Sequence, residues 1–153
     1  MSATVQLALD TEALTLRIAQ AGQADTLYQL PLGTEALVAR FFRRLPPSAY
    51  ALEEAIAWVE DAVMPLAAQL PAQAQWCSDS PAVRALAPGA HAAVLDIDTV
   101  EQQFNALADW VQGRPAALAG IPQDAHWCAA LLVLRECLHH WRCPALTLGA
   151  GTA

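Results

Sequence analysis

Two runs of alternating side chains, separated by only two residues, constrain this chain more than any other feature. In residues 4–10, Val5, Leu7 and Leu9 fall on one face; in residues 13–20, Leu14, Leu16 and Ile18 do the same. A period of two means a strand with one buried face. The connection Asp10-Thr11-Glu12 is too short for anything but a hairpin, so the two strands are antiparallel. Gly22 lies in the next turn, and residues 25–31, centred on Thr26-Leu27-Tyr28-Gln29-Leu30, read as a third strand.

Beyond Gly33 the period changes to that of helices. Thr34 is placed to cap a helix over 35–44, with Leu37, Val38, Phe41 and Phe42 as its buried stripe, and Pro46-Pro47 stops it. Ser48 is placed to cap a longer helix reaching about residue 70, striped by Leu52, Ile56, Val59, Val63 and Leu66. Pro65 predicts a kink or an early end there. Gln75-Trp76-Cys77-Ser78 reads as a short buried strand and Pro81–Ala87 as a short helix. Asp98-Thr99 opens a helix bearing Val100, Phe104, Leu107, Ala108 and Val111, which Gly113 and Pro115 end. Asp124 caps a last helix to about Trp141, apolar all round in its first half and so expected to be covered on several sides. Ala145–Leu148 is a final strand. The order of elements predicts an α/β layered fold, a mixed sheet with antiparallel strands 4–10, 13–20 and 25–31 and later strands parallel to the first.

Composition narrows the class. At 153 residues the chain is expected to form one domain, 1–153, with a real core. Charged residues are 15%, below the ~25% of an average domain, which hints at a surface meant for a partner. The net charge is −7 and all eight basic residues are arginines. An acidic chain without a basic stripe is not built for nucleic acid. The absence of lysine excludes a P-loop lysine and a Schiff-base lysine within the chain. The longest apolar run, Trp127–Leu134, is far short of the ~18 residues of a membrane span, and the N-terminus has no signal-peptide pattern. Cys77, Cys128, Cys137 and Cys143 are then expected to be reduced thiols in the cytoplasm.

Several constellations carry a chemical reading beside a structural one. His126, Cys128, Cys137, His139, His140 and Cys143 suggest a metal, but Cys128 and Cys137 are about 900° apart on a helix and point opposite ways. Buried thiols and helix-end histidines explain the same residues, and no metal is assigned. Glu53, Glu54, Glu60 and Asp61 read as a solvated helix face, with no histidine or serine expected to join them. Ser78-Asp79-Ser80 is a candidate ligand-contacting turn before a helix N-terminus; capping also explains it. Gly149-Ala150-Gly151 reads as a frayed tail. Trp58, at the edge of its helix's apolar stripe, is a candidate interface residue.

The order of pieces resembles the second half of the catalytic core of the exopolyphosphatase and guanosine pentaphosphate phosphatase (Ppx/GppA) family, whose domains are of the actin-like, ribonuclease-H-like kind. Leu30-Pro31-Leu32-Gly33, Val38-Ala39-Arg40-Phe41-Phe42 and Pro46-Pro47-Ser48 are similar to that family's "PLG" turn, "RLTERFL" helix and "DPPS/T" helix start. Ser78-Asp79-Ser80 with Val83-Arg84-Ala85-Leu86 falls where the family has "GTSGT-x-RAL". Leu118-Ala119-Gly120-Ile121-Pro122 with Asp124 resembles its "GL-PERAD" lead, and Leu146-Thr147-Leu148 its last strand. The resemblance implies a ribonuclease-H-like (actin-like ATPase) domain, with phosphate bound by glycine turns in a cleft between two such halves.

The departures qualify the implied activity. The family's "DIGGGSTE" turn brings backbone N–H groups onto phosphate; here Asp10 leads directly into Thr11-Glu12-Ala13-Leu14. The glycines of the second turn are replaced by Cys77-Ser78-Asp79-Ser80-Pro81, and the half carrying the catalytic acid has no counterpart in this chain. The expectation is a non-catalytic, phosphatase-like module, with no catalytic residue and no cofactor. It would bind another protein chain or itself through an apolar surface, as a dimer or larger oligomer, with a phosphate-containing ligand allowed at Asp10, Thr11, Glu12, Ser78, Asp79 and Ser80. The alternative is a Mg²⁺-dependent phosphohydrolase acting on polyphosphate or a nucleotide, with Asp10 and Glu12 holding the metal.

Overall fold

In the computed structural model, which describes residues 3–115, 118 and 120–149, β1 (Ala3–Leu9) and β2 (Leu14–Ala19) form the antiparallel hairpin that the alternation predicts. Val5, Leu7, Leu9, Leu14, Leu16 and Ile18 all lie buried on one face. β3 (Thr26–Leu30) adds antiparallel to β2. β4 (Ala74–Ser78) pairs parallel with β1, and β6 (Ala145–Leu148) parallel with β4. A three-residue strand, β5 (Val94–Asp96), pairs antiparallel with β6 and completes the order β3-β2-β1-β4-β6-β5. β5 corrects the expectation that every later strand runs parallel. It is too short to show a period, and its position at the sheet edge comes from tertiary pairing.

The helices pack on the buried face of the sheet. They are α1 (Thr34–Phe41), α2 (Ala49–Val63), α3 (Pro81–Arg84), α4 (Ile97–Val111) and α5 (Ala125–His140). α5 touches all four others, and every residue from Cys128 to Leu134 is buried, as a helix apolar all round requires. Trp141 closes its end, stacking on Trp76 and donating its indole N–H to the Val63 carbonyl at 2.9 Å. Ala150 and Gly151 of the expected tail, and Ala119 before the last helix, lie outside the described residues.

The capping expectations divide. Ser48 and Asp124 cap as expected, accepting from the N–H groups of Ala51 and Trp127 at 3.0 Å each. Pro65 ends α2 as predicted, in a 3₁₀ turn over Met64–Gln69. Thr34 does not cap α1: the cap position is Gly33, and the N–H groups of Thr34 and Glu35 donate to the carbonyls of Asp10 and Thr11 at 3.1 Å. The hairpin turn supplies what a capping side chain would. The α4 cap is Asp96, not Asp98, and its carboxylate accepts from Thr99 N–H at 2.8 Å.

The opposite face of the sheet is uncovered. Thr4, Gln6 and Ala8 of β1, Thr15 and Arg17 of β2, Gln75 and Cys77 of β4 and Thr147 of β6 are all exposed or half-exposed. Its centre is small or polar, while Leu27 of β3, opposite Arg17, and Val94 of β5, opposite Thr147, are exposed on the same face at its two edges. The large exposed hydrophobics among the described residues, Leu27, Tyr50, Met64, Val94 and Leu118, sit on five separate segments.

Candidate functional site

In open α/β sheets, crevices form beyond the carboxyl ends of the parallel strands. Here the end of β1 (Leu9, Asp10, Thr11), the start of α1 (Thr34), α3 with its neighbour (Pro81, Ala82, Ala85) and the start of α5 (Asp124, His126, Trp127, Ala130) line a cavity of about 480 Å³. Of the six residues read as ligand candidates, Asp10 and Thr11 face this cavity; Glu12, Ser78, Asp79 and Ser80 are not in its lining.

Each turn is held from within. Asp10 Oδ1 accepts from the N–H groups of Glu12 (2.8 Å) and Ala13 (2.9 Å), and these bonds, Ala13's first, hold its pKa below the ordinary carboxylate value. Gly33 backs onto the same turn: a Cβ there would meet Glu12 C at 2.3 Å and Thr11 O at 2.4 Å. In the second turn, Ser80 Oγ accepts from Leu9 N–H at 2.9 Å and Ser78 Oγ from Ser80 N–H at 3.2 Å, both buried. Ser80 thus ties the segment after β4 to the end of β1, and Ser78 holds Ser80 in place.

The polar rim was only partly legible. His126, Thr34 and Trp127 join the site through tertiary structure; the available signal was Asp124, since residues just after a cap project near the strand ends. His126 Nδ1 lies 3.0 Å from Thr34 Oγ1, and its Nε2 lies 3.4 Å from Glu35 Oε2. This is a hydroxyl, an imidazole and a carboxylate in series. The first two N–H groups of α1 are already bonded to the hairpin carbonyls, so they cannot act as donors for an oxyanion. Trp127 is fixed by its indole N–H on the Ala85 carbonyl at 3.1 Å. The charged rim is Asp10 and Asp124, and no arginine lines the cavity. Asp10 has one free carboxylate oxygen for a cation, while Glu12, its expected partner, points elsewhere than the cavity.

The remaining candidates lie apart. Trp58 packs on Phe41 with ring centroids 5.9 Å apart and is covered by the Arg40 guanidinium at 5.0 Å, in the helical layer away from the open sheet face. The cysteines are free; burial pushes the thiols of Cys128 and Cys143 up to about 12. The acidic face of α2 needs one correction, since Glu60 is met by His140 at 3.0 Å. The histidine comes from the far end of α5, 80 residues away in sequence.

No protein-family model matches the sequence, and no curated protein sequence does either. Solved structures do match in fold. A Ppx/GppA family member from Aquifex aeolicus superposes with a TM-score of 0.71 at 12% identity, over 96% of this chain and 52% of that one. An exopolyphosphatase from Cytophaga hutchinsonii gives 0.71 at 14% identity, over 97% and 53%. An exopolyphosphatase-like protein gives 0.62 at 13%, over 95% and 55%. The chain spans about half the length of each of these structures. At such identity the likeness concerns architecture: the chain has the ribonuclease-H-like, actin-like fold found in one half of Ppx/GppA structures.

Proposed function

We propose that this chain is a non-catalytic, phosphatase-like module that binds a protein, either a second copy or another chain, in the cytoplasm. The observation that carries the reading is the β1–β2 turn. A phosphate cradle needs backbone N–H groups turned outward; here those of Glu12 and Ala13 donate to Asp10, and Gly33 packs directly behind them. The cavity beside the turn has two carboxylates and no arginine in its lining, with His126 as its one basic side chain, so a polyphosphate would meet no guanidinium there to balance them. The partner reading draws on the open sheet face, because parallel strands such as β1, β4 and β6 ordinarily have both faces covered. The free cysteines accord with a reducing compartment. No helix among the described residues is long and apolar enough to cross a membrane.

Thermal-shift measurement with polyphosphate, nucleotides and inorganic phosphate, each with and without Mg²⁺, tests this reading. The expected outcome is no saturable rise in melting temperature, since a ligand that binds only the native state must stabilise it. The second reading, a Mg²⁺-dependent phosphohydrolase, draws on the fold shared with exopolyphosphatase structures and on Asp10 and Asp124 at one cavity. Phosphate release from polyphosphate that disappears in Asp10→Asn would establish it and displace the first.

A further inference from the structure

We propose that Glu60, Glu136 and His140 form a binding site for one first-row divalent cation of the zinc class, joining α2 to α5. His140 Nε2 lies 3.0 Å from Glu60 Oε2 and 3.4 Å from Glu136 Oε1, and one ligand atom from each residue falls within 4.8 Å of the others. Nitrogen and oxygen ligands about 2.0–2.2 Å from a tetrahedral cation are roughly 3.3–3.6 Å apart, so modest rotamer changes seat an ion between them. The three donors are of the types zinc accepts, with a fourth position left for water.

An independent observation is the state of Glu136. Its side chain is only 4% exposed, and its Oε2 accepts from Arg135 Nη1 at 2.9 Å. Its Oε1 faces His140 Nε2, but that nitrogen carries at most one proton and already makes a 3.0 Å bond to Glu60. A nearly buried carboxylate is thus aimed into the cluster, its Oε1 3.4 Å from a nitrogen whose nearer partner is Glu60. Around it, the Arg135 guanidinium pairs with Glu101 and Glu136, while Glu60 is met by His140. The C-terminal ends of α2 and α5 meet here as well, and both present partial negative charge.

The surroundings suit a metal. Arg135 holds Glu136 from outside, is itself fixed by Glu101 at 2.9 Å, and lies 3.8 Å over the Phe104 ring. Outer contacts of this kind orient metal ligands. His140 and Glu60 are 21% and 36% exposed in their side chains, which leaves an entry path. An ion bound at His140 Nε2 requires the neutral ring with its proton on Nδ1. Cys137, one turn before, is fully buried and is not a ligand.

The test is calorimetric titration of the metal-free chain with Zn²⁺, alongside visible absorption with Co²⁺. One saturable equivalent is expected, with a Co²⁺ spectrum of nitrogen and oxygen ligands and no intense thiolate bands. Glu60→Gln and His140→Gln, both at partly exposed positions, should keep the fold by circular dichroism. Each should weaken binding by more than roughly tenfold, the loss typical even of an outer-shell change. Absence of saturable binding, thiolate bands, or unchanged affinity in both variants would overturn the proposal and leave an ion-paired cluster. None of these outcomes depends on whether the cavity at β1 binds phosphate.

Discussion

At the scale of single residues, the side chains at the strand ends have structural partners, and this separates binding from scaffolding. Ser80 Oγ is the acceptor for the buried N–H of Leu9. Ser80→Ala leaves that N–H without a partner, at a cost of roughly 1–3 kcal/mol. For about 150 residues the melting temperature should fall by about 2–4 °C per kcal/mol; an unchanged melting temperature would show that the hydroxyl is not holding the segment after β4 to β1. Asp10 makes a pH prediction. Its folded pKa is depressed by the Ala13 and Glu12 N–H groups, so its contribution to the turn is complete above the unfolded value of 3.8 and is lost as pH falls through the lower, folded one. The amide resonances of Glu12 and Ala13 should therefore titrate below pH 3.8; a midpoint at or above that value would mean the two bonds do not persist in solution.

At the scale of elements, what was legible in sequence was local. Ser48 precedes its helix with no competing acceptor, and it caps. Ser48→Ala should lower stability to urea by about 1 kcal/mol, and an unchanged midpoint would contradict the cap. Thr34 has the same credentials in sequence but is 92 residues from His126, whose ring meets its hydroxyl, and the hairpin carbonyls take the N–H groups it would have served. No local pattern carries that information. Asp96 outcompeted Asp98 because the pairing of β5 with β6 fixes where the chain turns into α4. The same division applies to the cavity. The hairpin and the Asp124 cap are local features, and their juxtaposition across β1 and α5 follows from sheet order. Glu60 and His140 show it again: one looked solvated and the other looked like a helix-end charge until α2 and α5 were packed together.

At the scale of the whole molecule, the open sheet face decides whether the chain acts alone. Its centre is Gln6, which pairs with Arg17 on one side and Cys77 on the other. This choice of position allows the face to be altered without weakening the sheet. Gln6→Glu places a carboxylate directly across from the Arg17 guanidinium, and opposite charges so placed contribute roughly 0.2–1 kcal/mol to a sheet. The same carboxylate adds a charge at the middle of any interface formed there, where desolvation opposes it. The proposed module therefore predicts two separable effects of one substitution. The melting temperature should hold or rise slightly, while light scattering should show the wild-type assembly, or its complex with a partner, dissociating in the variant. If the wild-type chain scatters as a monomer and recovers no partner, or if Gln6→Glu assembles as the wild type does, the open face is a solvated surface. The reading of this chain as a binding module would then lose its interface.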